Sequence, residues 1–406
     1  MSLVYHLFSE LKEPGIYQRI DSNKETADIY IKEEFERPRT VREFVTNYYV
    51  DGDDACFADE FDKNSAPYVS YEKIDDLSGI ARYLPEPMAT LLCDPVADDR
   101  GVIYGNGGKT LIKAPLKLEG DYTCQKGVEV IFRYAFQNCQ KLTKITFPPT
   151  LQKIGFAAFA GCRDLVSADL PESLVTMDGA VFSRCDSLEE AVIPAGVTEI
   201  PTGLFNGCKS IQRVVLHEGI QAIDGDAFES TQRLFELTLP RNLMPGIERT
   251  VELRDLDMEM QVSKLGSFTS FRYAGLTSIV IPGSVKTMEY GFYSCENLCY
   301  IEFEEGIEEL GNLCGECGQL EYVVLPSTLN KVGPDIFKGS SPTVFIPEGT
   351  KEHFLAILPD RLHRGLREGA MTVEERKSLE KRIVNQKEKA LEKIEKERRM
   401  FEELFR

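Results

Sequence analysis

A cysteine followed three residues later by a large aliphatic side chain recurs at a nearly fixed interval through the middle of this chain. Aligning Cys139, Cys162, Cys185, Cys208, Thr231, Thr250, Tyr273, Cys295, Cys317 and Ser340 gives spacings of 23, 23, 23, 23, 19, 23, 22, 22 and 23 residues. Other columns keep the same register. Leu142, Leu165, Leu188, Ile211, Leu234, Leu253, Leu276, Leu298 and Leu320 form the first, and Phe136, Phe159, Phe182, Phe205, Phe228, Phe292 and Phe337 form an aromatic one. A period of this length is the mark of a repeat array in which no unit buries its apolar face alone and neighbours must stack.

Each unit reads as one turn of a coil. The segment L-x-x-I-x-I ends with apolar residues at period two, a short strand with one buried face. Proline then ends the strand (Pro148, Pro171, Pro194, Pro240, Pro282 and Pro326), since it has no N–H to give the sheet. Nine spacings of about 4.8 Å predict a stack roughly 45 Å long. The cysteines Cys139, Cys162, Cys185, Cys208, Cys295 and Cys317 fall at one corner of the coil, small and buried, a setting that suits free thiols. Thr231, Thr250, Tyr273 and Ser340 at the same register argue against obligatory pairing. The short unit 231–249 predicts a tight return at Met244-Pro245-Gly246, with Ile247 in the aromatic's place.

The unit CQKLTKITFPPTLQKIGFAAFAG (139–161) resembles the BspA-like leucine-rich repeats. GVIYGNGGKTLIKAP (101–115) is similar to the hairpin that opens such arrays, Tyr122 to Phe136 to a first coil, and VFIPEGTKEHFLAILP (344–359) to the closing segment. The resemblance implies an α/β leucine-rich-repeat solenoid with a parallel strand face, and protein recognition, adhesion or scaffolding rather than catalysis. Three regions follow: an N-terminal cap or small α+β domain at 1–95, the solenoid at 96–359 and an amphipathic helix at 360–406.

In the first region Ser2–Lys12 predicts a short helix, Ala27–Phe35 a strand, and Thr40–Tyr49 either. At the other end Thr372 with Glu375 forms a capping box, opening a helix with apolar Leu379, Ile383, Ala390, Ile394, Phe401 and Leu404. Gln386 and Lys387 interrupt any heptad seam, so packing on the body or pairing with a partner helix through 372–406 fits better than a long coiled coil.

Charge bears on partners. The chain of 406 residues has 66 acidic and 47 basic side chains, net −19. Residues 121–350 carry net −13 and residues 351–406 net +3. An acidic body disfavours nucleic acid and anionic membrane as partners and leaves a protein partner. The start of the chain lacks a signal-peptide pattern, so the expected location is the cytoplasm, in contrast to the many exported members of the family. By strand alternation the outward residues of the solenoid are polar at first, Lys144/Thr146 through Arg213/Val215. They become apolar towards the carboxyl end, where Val280, Tyr300, Glu302, Tyr322 and Val324 make a candidate partner-binding strip.

Other constellations carry less. Cys295, Cys299, Cys314 and Cys317 have zinc-like spacing, but Cys295 and Cys317 belong to the repeat corner and Cys314 to the aromatic column. Gly108-Lys109-Thr110 lacks the phosphate-loop glycine at position 103, which is Ile103, and a hairpin turn explains its glycines better. The acidic run Asp51 to Asp62 lacks the glycine and glutamate of a calcium loop. His6, His217, His353 and His363 are scattered, and no nucleophile has a local base. The expectation is a non-enzymatic scaffold with no cofactor, no metal and no catalytic residue. Two other readings are a repeat sensor with an effector activity in 1–95 and an adhesin exported without a cleavable signal.

Overall fold

The computed structural model describes residues 95–243 and 271–404, together with five strands nearer the amino terminus. The chain divides into two compact units, residues 1–118 with 250–261, and residues 119–249 with 262–406.

In the first unit the strands Val4–Tyr5, Val69–Lys73, Gly15–Asp21, Asp28–Lys32 and Arg39–Thr40 lie side by side in that order, antiparallel throughout. Val4–Tyr5 is a strand where a helix was predicted, because it pairs with Tyr71 and Glu72 of the sheet and tertiary pairing overrides local periodicity. The rest of the predicted helix, and the remainder of 40–49, lie outside the described residues. Strands Ile103–Gly105 and Thr110–Lys113 form the expected hairpin. Its turn is built on Asn106, Gly107 and Gly108, all at positive φ, with Lys109 N–H bonded to Asn106 O. The glycines serve the backbone there.

The second unit is the solenoid. Strands Gly120–Thr123, Leu142–Thr146, Ser167–Asp169, Glu190–Val192 and Arg213–Val215 form a five-stranded parallel sheet. A second parallel sheet contains Ser278–Ile281, Tyr300–Phe303, Tyr322–Val324, Thr343–Ile346 and, beyond the predicted closing segment, Leu366–Glu368. Identical positions of successive repeats pair: Ser278 with Tyr300, Tyr300 with Tyr322, and Tyr322 with Thr343. Where a proline follows the strand, its carbonyl accepts the N–H three residues on, Pro148 O from Leu151 and Pro171 O from Leu174, so proline both stops the strand and starts the turn. His217 takes the proline's place and bonds Ile220 in the same way.

The core is a file of aromatic rings. Phe136, Phe159, Phe182, Phe205, Phe228, Phe271 and Phe292 stack face to face, with centroids 4.9 to 6.0 Å apart. Each such pair contributes about 0.5–1.5 kcal/mol beyond its burial. The Phe228–Phe271 pair corrects the expected register. Its centroids are 5.5 Å apart and its planes 5° apart, so the turn ending at Phe228 is followed in the stack directly by that of Phe271. Residues 244–270, including Met244-Pro245-Gly246, Ile247 and Leu265, lie outside the described residues.

The cysteine column also shifts by one residue at this junction. Ala274, 2% exposed, fills the corner, with its N–H on Phe271 O, while Tyr273 is 48% exposed and left-handed at φ 57°. The equivalent left-handed position in other turns is Asn138, Gly161, Arg184, Gly207, Ser230, Ser294, Glu316 and Gly339.

The junction needs a close approach. A Cβ on Gly275 would lie 2.1 Å from the Gln232 carbonyl oxygen, whereas one on Gly318 would meet nothing within 4 Å. Gly275→Ala is therefore expected to destabilise the chain by about 1–3 kcal/mol. Gly318→Ala is expected to change little, and denaturant unfolding of the two variants checks the pair.

Candidate functional site

The face of the parallel sheet is where a solenoid presents side chains at constant spacing, and here it has two halves. In the first, Thr146, Asp169, Glu190, Val192 and Arg213 are exposed, with Lys144, Ser167 and Val215 half-buried. Charges pair from strand to strand: Lys144 with Asp169 at 3.4 Å, and Arg213 with Glu190. Solvent-exposed pairs of this kind contribute roughly 0–1 kcal/mol each and mainly fix side-chain positions.

The second half is covered by the chain's own carboxyl-terminal helix, Val373–Leu404. Its start is the predicted capping box: Thr372 Oγ1 accepts the Glu375 N–H at 3.2 Å, and Glu375 Oε2 accepts the Thr372 N–H at 2.8 Å. Those bonds, with Arg367 beside it, hold the Glu375 carboxyl below its usual range. The helix then lays Leu379 and, with Met371 just before it, an apolar seam onto Cys299 and Phe345, with Tyr300, Tyr322, Val324 and Ile383 packed around them. Tyr300, Tyr322 and Val324 of the candidate strip are thus half-buried under an internal helix, while Val280 remains 42% exposed.

Around and beyond this apolar seam, apart from buried Ala390, the attachment is polar. Arg382 Nε lies 2.6 Å from Glu321, Gln386 bonds Asn297 at 3.2 Å, Lys393 reaches Glu296 at 2.9 Å, and Arg233 pairs with Glu395. Lys387 reaches Glu236 at 3.4 Å and sits 5.7 Å over the Phe235 ring. Between helix and sheet a groove of about 610 Å³ remains, lined among others by Leu237, Val280, Tyr300, Glu302, Leu379 and Ile383. In it the Tyr300 hydroxyl donates to Glu302 Oε2 at 2.5 Å. Burial first, and that bond second, push the phenol well above its usual value.

The repeat-corner cysteines form a ladder. Cys162, Cys185, Cys208, Cys295 and Cys317 each donate from Sγ to the carbonyl of the preceding turn's aromatic, at 2.9 to 3.2 Å. That carbonyl also accepts the corner N–H of its own turn, as Phe136 O does from Cys139, so both lone pairs are used. Thr231 and Ser340 instead turn their hydroxyls back to Phe228 and Phe337 of their own turns. The link between turns is a property of the thiol, and composition gave no sign of it.

Of the zinc-like set, Cys295, Cys314 and Cys317 interact in the core, whereas Cys299 lies on the sheet face beside Arg382. Among the described residues no histidine, cysteine and carboxylate group has an arrangement that could hold a metal. All nine described cysteines are buried. His217, His353 and His363 each engage a backbone carbonyl through Nε2, at 2.7 to 2.9 Å.

A file of short parallel strands, most of them proline-ended, closed by a strand and short helix, defines a leucine-rich-repeat solenoid. A family model described as the BspA type leucine rich repeat region, in 6 copies, matches residues 129–245 and 248–347, and the chain belongs to that family. Such repeat proteins generally mediate protein–protein interaction or surface adhesion. Among solved structures, the chain is similar to a leucine-rich repeat protein from Bacteroides ovatus, with 23% identity, covering 68% of this chain and 80% of that one, at TM-score 0.43. It is also similar to the T. pallidum leucine rich repeat protein, with 20% identity, 56% and 86% coverage and TM-score 0.36. A leucine rich cell surface protein from Faecalibacterium prausnitzii matches at 17% identity, 70% and 88% coverage and TM-score 0.34. No curated protein matches the chain.

Burial raises the thiols of Cys185, Cys208, Cys295 and Cys314 well above their ordinary 9.0. Above that pH the unfolded chain loses thiol protons that the native chain keeps, so the native advantage, complete below 9, falls as pH rises towards the native values. Each such thiol is expected to remove about 1.4 kcal/mol of stability per pH unit once the unfolded form is ionised. Urea unfolding at pH 8, 9 and 10 checks this, with a shallower fall expected for Cys185→Ala.

Proposed function

We propose that this chain is a non-enzymatic protein-binding scaffold whose docking surface is the parallel sheet face. The supporting observation is that the carboxyl-terminal half of the face already receives a protein element, the helix, while the amino-terminal half presents the same regular side-chain array uncovered. Rigid, evenly spaced side chains cost little to order on binding, which favours such a surface for recognition. The described titratable groups fit a role without catalysis. The thiols are buried and held protonated, and the histidines are occupied with backbone carbonyls.

The thiol ladder also supports a reducing, cytoplasmic setting, since it needs its sulfurs unpaired. None of the described helices is long and apolar enough to cross a membrane. The F. prausnitzii neighbour is called a cell surface protein. Protease treatment of intact cells separates that location from the one proposed, a protected chain agreeing with the cytoplasm.

The open half is tested by Lys144→Glu, Val192→Asp and Arg213→Glu combined, three outward positions on strands of the same five-stranded sheet. Recovery of a captured protein partner by the immobilised full chain is expected to fall at least ~tenfold, the loss of about 1.4 kcal/mol of binding. Unchanged recovery would remove the open half from the docking surface.

A further inference from the structure

We propose that the carboxyl-terminal half of the sheet face is a groove for a basic amphipathic helix of a partner protein, and that the chain's own helix occupies it in cis as a replaceable stand-in. This rests on the sheet face being the docking surface and names the class of partner for its covered half.

The groove selects for positive charge. Glu236, Glu296, Glu302, Glu304 and Glu321 line it or flank the helix, and Arg382, Lys387 and Lys393 meet three of them. Its floor is apolar, with Tyr300, Tyr322 and Phe345 under Leu379 and Ile383. An acidic wall around an apolar floor fits a helix with two large apolar residues one turn apart and basic residues along its flanks.

The resident helix fills this groove poorly. It brings Glu380, with Arg376 beside it, to a wall that holds Glu236, Glu302, Glu304 and Arg241, where a third basic residue in place of Glu380 would leave the acidic side better matched. It leaves the 610 Å³ space open beside Val280. Apart from that apolar seam it is held chiefly by partly exposed ion pairs of Arg382, Lys387 and Lys393, which salt screens. Its connection to the last strand, Leu366–Glu368, passes through Gly369 at φ +90°, whose N–H bonds Ile346 O, so the chain turns onto the face within a few residues of the sheet. A helix with a large apolar residue where Glu380 stands would fill more of the open space and add apolar contact on the same floor.

Cys299 reports occupancy, because it is fully buried under Leu379 and Met371. The experiment compares the full-length chain with its Arg382→Glu/Lys393→Glu variant and follows alkylation of Cys299 by peptide mass. Cys185 and Cys208 in the solenoid core serve as the folding control. Cys299 is expected to react at least tenfold faster in the variant, with the control cysteines unchanged. A synthetic peptide of residues 372–404 carrying E380L is expected to protect Cys299 again. By fluorescence anisotropy it is expected to bind the variant at least tenfold tighter than the wild-type chain, and tighter than the peptide retaining Glu380. Equal Cys299 rates in the two chains would overturn the proposal. So would equal binding of a peptide with Arg382, Lys387 and Lys393 changed to Glu, or protection that rises with the variant's own concentration, which assigns the groove to a second copy. None of these readouts involves Lys144, Val192 or Arg213, so the proposal can fail while partner capture by the open half persists, and the reverse.

Discussion

The structure depends on a repeated junction, in which the carbonyls of Phe136, Phe159, Phe182, Phe271 and Phe292 are each shared between two turns. One lone pair takes the corner N–H of its own turn and the other takes the thiol of the next, as Phe159 O does from Cys162 and Cys185. The phenylalanine N–H meanwhile donates onward, from Phe136 to Ala158 and from Phe159 to Val181. Ring stacking, backbone pairing and the thiol bond therefore all set the same rise from turn to turn. A buried donor left without its acceptor costs about 1–3 kcal/mol, so the three requirements hold the 23-residue spacing closely.

Where the ladder lacks its thiols, other groups close the gap. Thr231 and Ala274 occupy adjacent corners at the point where residues 244–270 intervene in sequence. Across that join Ser230 N–H bonds Arg272 O, Gly275 N–H bonds Thr231 O, and buried Thr277 places both its N–H and its hydroxyl on Phe235 O. Arg272 adds ion pairs to Asp226 and Glu229 at 3.3 and 3.1 Å. The stack continues through this seam because backbone pairing and the Phe228–Phe271 rings suffice without the thiol.

Much of this was legible in the sequence because each column is a local demand repeated: a leucine inward, a proline at the strand end, a phenylalanine in the file. The capping box at Thr372 was legible for the same reason. The register between Thr231 and Cys295 was not. An alignment on Leu276 places Tyr273 in the corner, because every regular turn has its leucine three residues after the marker. Here Ala274 precedes Leu276 by only two, and the burial of Ala274 against the exposure of Tyr273 decides the register. A short unit of 19 residues followed by one of 23 also imitates two rungs, and only the contact of Phe228 with Phe271 distinguishes that from a single step of the stack. Alternation likewise told which side chains leave the core at Tyr300 and Tyr322, but it carries no information about what lies on them. The opposite charges of body and tail, −13 over 121–350 and +3 over 351–406, were the one sign that the two would meet.

The corners explain how a fixed backbone can carry a variable surface. Each left-handed corner residue donates its N–H to the next turn: Arg184 to Asn206 O, Gly207 to Glu229 O, Tyr273 to Tyr293 O, Glu316 to Lys338 O. Holding a non-glycine residue there costs roughly 1–2 kcal/mol, yet arginine, serine, tyrosine and glutamate all occupy it. The cost is tolerated because the surrounding pairing leaves the backbone no alternative, and the side chain is directed away from the packed interior. Chemistry at these positions can therefore change without altering the stack. The same separation holds on the sheet face, where inward residues secure the turn and outward ones are free to differ. A surface whose composition is uncoupled from stability is what a recognition scaffold requires, and here backbone pairing and the inward residues secure each turn independently of it.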